Sequence, residues 1–228
     1  CFNYFKDRLA RFYGTVVNLA IANDWMHKNP FAGIRFQEKE VIREVLTKEE
    51  IERMMCKEFA LPRLEYVRDV FIFCVFTGMA YVDVNNLRQE HIVRDNNDDL
   101  WIRKARQKTN NMCNIPLLKI PQLLMEKYKN HPLCAKTGAL LPVPSNQKMN
   151  SYLKEIADFC GIQKNLTTHT ARHTFATVVA LANGVSMENI AKMLGHSDIR
   201  MTQRYAKVMD SSIMRDMENV DKLFKSSE

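Results

Sequence analysis

The chain has 228 residues, 46% of them hydrophobic, enough to bury a core in one large domain with a fragment of a second. Lysine and arginine number 33 against 26 aspartates and glutamates, and the resulting charge of +7 favours a polyanionic partner without requiring one. Scattered cysteines with no C-x-x-C pair exclude a disulfide framework and a zinc-ribbon pattern, and they read as reduced core thiols in a cytoplasmic protein. The longest uncharged runs, residues 70–82 and 174–187, are shorter than the roughly 18 residues a membrane span needs, and no secretory signal opens the chain.

In chain order, residues 2–25 place Phe5, Leu9, Phe12, Val16, Leu19 and Ala20 at helical spacing, so one amphipathic helix is expected there. Asn29-Pro30-Phe31-Ala32-Gly33 breaks it, and residues 37–44 have linker composition, which predicts domains at 1–38 and 39–228. A lone helix cannot bury its own apolar face, so it is read as the end of a small helical domain with further sequence upstream of Cys1. Thr47-Lys48-Glu49-Glu50 has the spacing of a capping box and starts the next helix. Residues 64–76 are apolar nearly all round, as in a buried central helix, and Thr77-Gly78 ends it before a further helix near residues 84–87.

Residues 100–104 and 112–117 read as two short strands joined by a polar hairpin turn that carries Arg106 and Lys108. Helices are expected over residues 121–129, 146–160, 171–182 and 187–194, the last capped by Ser186 and closed by Gly195. Residues 211–224 repeat Ile213, Met217, Val220, Leu223 and Phe224 on one helical face, while Met193, Met201 and Met209 read as core filler. The predicted fold is mainly α with a small antiparallel β-sheet, an α+β domain.

Two clusters carry chemistry. Thr168-His169-Thr170-Ala171-Arg172-His173 sets an imidazole and a guanidinium three residues apart at a helix start. Leu194-Gly195-His196 is followed after nine residues by Tyr205. A hydroxyl nucleophile, two imidazoles and a guanidinium are the set needed to attack a phosphodiester with no metal ion or other cofactor. Alone, an H-x-x-R pair is more often a structural histidine and a surface arginine, and Tyr205 alone could be a core aromatic. Its basic neighbours Arg200, Arg204 and Lys207 argue against deep burial.

With these marks in order, Thr77-Gly78, Asp83, Leu87-Arg88, Lys108, His169-x-x-Arg172, Leu194-Gly195-His196 and Tyr205, the chain resembles the tyrosine recombinases of the phage integrase family, in its mobile-element subgroup. The resemblance implies that Tyr205 attacks the scissile phosphorus, that His169, Arg172 and His196 contact the phosphate oxygens, and that Lys108, with Lys104 as the alternative, protonates the leaving oxygen. Asp83 is implied as a supporting residue. The N-terminal helix is similar to the end of a SAM-like core-binding domain. Partners implied are double-stranded DNA, a homotetramer on DNA with a monomer allowed when free, and room for accessory DNA-bending proteins. A type IB topoisomerase-like enzyme and a catalytically impaired DNA-binding regulator stand as alternatives.

One departure matters. The family places an arginine three residues before the acidic position, where this chain has Ala80. A methyl group cannot neutralise a phosphate, so another cation is expected to fill the gap. Arg68, an arginine among Val67, Val70 and Phe71, is the first candidate because it must reach a counter-charge or a cleft; Arg88 and Arg106 are the alternatives, and a salt bridge to Glu65 or Asp69 is the competing reading of Arg68. The helix after Tyr205 either packs on its own domain or docks on a neighbouring protomer.

Overall fold

The computed structural model describes residues 2–31 and 44–206, with side chains from residue 12 in the first stretch and to residue 205 in the second. The chain divides into two compact units, Cys1–Ile42 and Arg43–Glu228, against the boundary expected at residue 38. The first unit contains α1 (Phe2–Ala22). Asp24 in the left-handed region turns the chain after it, and the Asn29 side chain accepts from the Phe31 amide at 2.8 Å. Phe12, Val16 and Leu19 stay exposed on this helix.

The second unit is built on α3 (Pro62–Thr77), whose residues Val67 and Val70 to Val75 are buried almost without exception. A helix buried all round needs cover on every side. That cover comes from α2 (Lys48–Cys56), α5 (Lys119–Tyr128), α7 (Asn146–Phe159) and α8 (Thr168–Thr174), all of which pack on it. The expected capping box is present: the Thr47 hydroxyl accepts from Glu50 N and Glu50 accepts from Thr47 N. At the other end of α3, Gly78 takes φ 68° and its amide donates to Cys74 O at 2.8 Å, closing the helix. A methyl group at Gly78 would come within 2.4 Å of the Phe175 ring and 2.7 Å of Leu194, so three segments meet at a point that only glycine allows.

The sheet has three antiparallel strands rather than the expected two: β1 (Ile92–Arg94), β2 (Leu100–Ala105) and β3 (Met112–Pro116), in that order. Three residues beside the acidic turn at 95–99 are too few to show an alternating pattern, which is why β1 was not legible. Ile102 pairs with Ile115 and both are buried, which fixes the register of the hairpin. At its tip Arg106 and Asn111 close the turn, with Asn110 in the left-handed region and Lys108 exposed.

Two helices lack a sequence expectation, α6 (Pro132–Thr137) and α10 (Arg200–Ala206), while α4 (Tyr81–Asn85) starts earlier than predicted. The helix expected over 171–182 begins instead at Thr168, with Thr167 as its cap, and widens into a π-helical segment at Phe175–Ala180 before a 3-10 turn. α9 (Met187–Leu194) matches its expected bounds, with Ser186 capping Asn189 N. Cys74, Cys113, Cys134 and Cys160 are buried free thiols, but Cys56 is exposed, as is Met201, which is therefore no core filler. Residues 211–224 lie outside the described residues. Among those described, no helix is long and apolar enough to cross a membrane.

Arg68 is buried, and its position corrects the leading expectation for the missing cation. Its Nε donates to Asp69, and one terminal nitrogen donates to the carbonyls of Met54, Met55 and Lys57 at 3.2, 3.2 and 2.6 Å. The guanidinium therefore caps the C-terminus of α2, where unpaired carbonyls and the helix dipole both attract a cation. Ten residues along α3 from Gly78, about 15 Å of helix, it serves the fold. Arg68→Ala is expected to lower unfolding free energy by about 3 kcal/mol, as for a broken buried ion pair. Thr47→Ala should lower it by about 1 kcal/mol, as for a lost N-cap. Urea denaturation of both variants measures the difference.

Candidate active site

Arg172 is the centre of the site. It projects inward from α8, nine-tenths buried, and donates from one terminal nitrogen to Gly78 O at 2.7 Å and from the other to Leu194 O at 2.6 Å. These are carbonyls at the C-terminal ends of α3 and α9, whose dipoles point negative charge at the guanidinium. The second nitrogen also lies 3.2 Å from His196 Nε2. One side chain thus ties together two helix ends and the imidazole that follows the second.

His196 follows Gly195, whose φ of 60° ends α9 and turns the chain toward α10. Its Nδ1 lies 2.8 Å from the hydroxyl of Thr202, a fully buried residue of α10. Tyr205, three residues on, stacks its ring on His196 with centroids 6.3 Å apart and planes 11° apart. It is buried, 9% exposed, contrary to the expectation drawn from its basic neighbours. Arg200 is instead held on the exposed side by Asp198, and the phenol faces inward among aromatic rings. His173 lies 5.3 Å from Tyr205, ring to ring, and 6.0 Å from His169. His169 is exposed, so the His169–Arg172 pair divides its work, arginine inside and imidazole at the rim.

The hairpin brings a second guanidinium. Arg106 lies at the base of the turn with its side chain 11% exposed, and it reaches Gly195 O only at 3.5 Å and Asp83 at 3.8 Å. Its buried Nε has no hydrogen-bond partner among the described residues. Gly195 makes room for it: a methyl group there would come within 2.6 Å of the Arg106 side chain and 2.7 Å of Cys113 Sγ. Asn111 also donates to Gly195 O, at 3.2 Å. Asp83, expected as a support, is buried and accepts from the Gln107 amide at 3.0 Å, anchoring the hairpin to α4. Ala80 is the N-cap of α4, two residues past the Gly78 carbonyl that Arg172 holds.

Burial, with the charges of Arg172 and Arg106 behind it, pushes His196 down to about 4. Burial first, then Arg106, likewise holds Arg172 below the usual arginine range, though a guanidinium stays protonated at working pH. Burial raises Cys113 to about 11, so the thiol beside the two arginines stays protonated. Like charges crowded in a partly dehydrated pocket are what an incoming anion would relieve.

Of the sequence candidates, Arg172, His196 and Tyr205 meet, with His169 joined through His173. Lys108 sits on the exposed hairpin tip, and Lys104 lies 3.1 Å from His91 Nε2 on the sheet. Arg88 is held by the carbonyls of Asn85 and Leu87, and Arg68 by the end of α2, so neither joins the group. Sequence reasoning missed Thr202, although its place three residues before Tyr205 puts both on one helix face.

Arg172, His196 and Tyr205 thus form one cluster, a buried phenol stacked on an imidazole that lies against a guanidinium. The chain belongs to the phage integrase family, whose profile matches residues 44–212. It is 40% identical over 95 residues to the tyrosine recombinase XerD of Staphylococcus saprophyticus, covering 42% of this chain and 31% of that protein. It is 42% identical over 71 residues to XerD of Staphylococcus aureus, covering 31% and 24%. The chain thus spans under a third of the length of these relatives. Its fold is similar to the Tn1549 transposon integrase in complex with a circular intermediate DNA, with TM-score 0.68 and 18% identity over 93% of this chain and 78% of that one. The XerA recombinase matches with TM-score 0.58 and 23% identity over 80% and 66%.

Two outcomes test this geometry. Gly195→Ala is expected to destabilise the fold by about 2 kcal/mol through overpacking and a left-handed alanine, read by chemical denaturation. His196 should titrate near pH 4 in an NMR titration. Because its folded value lies below the ordinary 6.5, the unfolded chain binds the extra proton first, so stability is complete above pH 6.5 and falls as pH drops toward 4. His196→Asn should flatten that slope.

Proposed function

We propose that this chain is the catalytic part of a site-specific DNA recombinase, an integrase of a mobile element, that cuts and rejoins DNA through a 3′-phosphotyrosyl intermediate. The observation that carries the reading is the pocket in which the crowded guanidiniums of Arg172 and Arg106 lie by a neutral His196 that stacks on the Tyr205 phenol. A phosphodiester is the anion that this arrangement would use: its non-bridging oxygens take the guanidinium hydrogens while the phenol displaces the 5′-oxygen. The covalent bond keeps the energy of the broken ester for rejoining, so no cofactor is needed. Lys108 on the hairpin tip protonates the leaving oxygen once DNA brings it in, and His169 contacts the phosphate from the rim.

Arg106 takes the place of the arginine that Ala80 cannot supply. Its support is the buried Nε without a partner, the weak contacts to Gly195 and Asp83, and its proximity to Arg172 and His196. The first unit acts as the end of the core-binding domain, and four protomers assemble on DNA, where basic side chains make binding strongly salt-dependent.

The test uses the full-length protein with a labelled pool of nicked duplexes of randomised sequence, scoring protein-linked DNA after denaturing extraction. Wild type should yield an adduct and Tyr205→Phe none; a binding-only regulator yields none from either. Joining of two separate sites, rather than supercoil relaxation alone, separates a recombinase from a topoisomerase. Arg106→Ala should lower adduct formation about 100-fold or more, the scale for removing one stabilising donor. Ala80→Arg combined with Arg106→Ala should recover part of that loss, whereas Arg68→Ala should cost stability alone.

A further inference from the structure

The imidazole of His196 has both nitrogens engaged, and the partners fix which one carries the proton. Nε2 faces a guanidinium nitrogen of Arg172 at 3.2 Å. Every guanidinium hydrogen is a donor, so Nε2 presents its lone pair and the ring proton sits on Nδ1, donated to the Thr202 hydroxyl at 2.8 Å. To bind a phosphate oxygen the ring must do the reverse and donate from Nε2. The hydrogen-bond partner of Nδ1 must then donate, or the ring must be charged.

A hydroxyl is the group that serves both states, because it accepts and donates from the same oxygen. A backbone carbonyl or carboxylate at that place would lock the proton on Nδ1. Thr202 is fully buried and belongs to α10, where it lies three residues before Tyr205, so the oxygen that supports the imidazole rides on the helix that carries the phenol.

We infer that Thr202 is the positioning residue of the phosphate pocket: its hydroxyl orients His196, turns from acceptor to donor when an oxyanion enters, and makes the pocket's histidine dependent on the docked nucleophile helix. In that exchange the ring gives its Nδ1 proton to water and takes one from water at Nε2, leaving its net charge unchanged. The groups that face the ring are Arg172 from α8, Arg106 from the hairpin and the Tyr205 ring from α10. Burial, Arg172 and Arg106 all disfavour the imidazolium, so the neutral route is the one the pocket leaves open. The inference rests on the recombinase reading for its catalytic consequence but not for the tautomer itself.

The experiment has two arms on the full-length protein. The first records the ring nitrogens of His196 by 15N NMR. Wild type should hold its proton on Nδ1, and addition of inorganic phosphate should move it to Nε2; Thr202→Val should show no such phosphate-driven shift, and Thr202→Ser should restore it. A proton found on Nε2 in the free wild type, or an unchanged response in Thr202→Val, overturns the inference whatever the enzyme does to DNA.

The second arm measures adduct formation from pH 4 to 9. Thr202→Val should lose roughly ten- to a hundredfold at pH 8, the scale for removing the partner that orients a functional imidazole, and less as pH falls to 4, where a charged ring donates without help. Thr202→Ser should stay within about threefold of wild type. An equal loss at every pH, or a serine variant as impaired as valine, marks a packing role and overturns the inference. Absence of any adduct from wild type counts against the recombinase reading instead, while the NMR arm still decides on Thr202.

Discussion

The Arg172 guanidinium is the constraint on which the rest of the site depends. Among the described residues it is one of the few charged groups buried in the second unit, held there by two helix-end carbonyls and an imidazole, with none of the described carboxylates in hydrogen-bond contact. Carbonyl oxygens satisfy its hydrogens without cancelling its charge. A paired carboxylate would have stabilised the same cation and left it useless to an anion. Helix ends are the natural source of such oxygens, since their last carbonyls lack partners within the helix. Two separate helices must therefore end at one place, and the left-handed glycines Gly78 and Gly195 are where they do.

Two arginines show how burial alone misleads. Arg68 and Arg106 are both largely hidden, and the sequence around Arg68 made it the better candidate for a missing cation. The structure gives Arg68 four oxygen acceptors and so spends its charge on the end of α2. Arg106 is left with two long contacts and an Nε without a partner. What separates the two arginines is the unfilled share of their five hydrogens, and no periodicity in a sequence reports that.

Much of the scaffold was legible. The Thr47 capping box, the continuous apolar run of α3, the Gly78 and Gly195 stops and the bounds of α9 all follow from local chemistry, and each stands where it was expected. The meeting of Arg172, His196 and Tyr205 was legible only through the resemblance, because nothing in the spacing of residues 172 and 196 says that they touch. β1, α6 and α10 were too short to carry a pattern, and the π-helical widening after Thr174 has no local sequence signature. Burial of Tyr205 was misjudged because charged neighbours in sequence need not be neighbours on a helix face: Arg204 is adjacent in the chain and points elsewhere.

The hairpin has a property that follows from its base. Arg106 and Asn111 lean on the Gly195 carbonyl from the two sides of the turn, and Asp83 grips the Gln107 amide between them. Only residues 108 to 110 extend past this clamp, and at about 3.3–3.6 Å of reach per residue the lysine they carry is held on a tether a few residues long. The tip is thus confined near its root, as a latch is held by a fixed hinge pin.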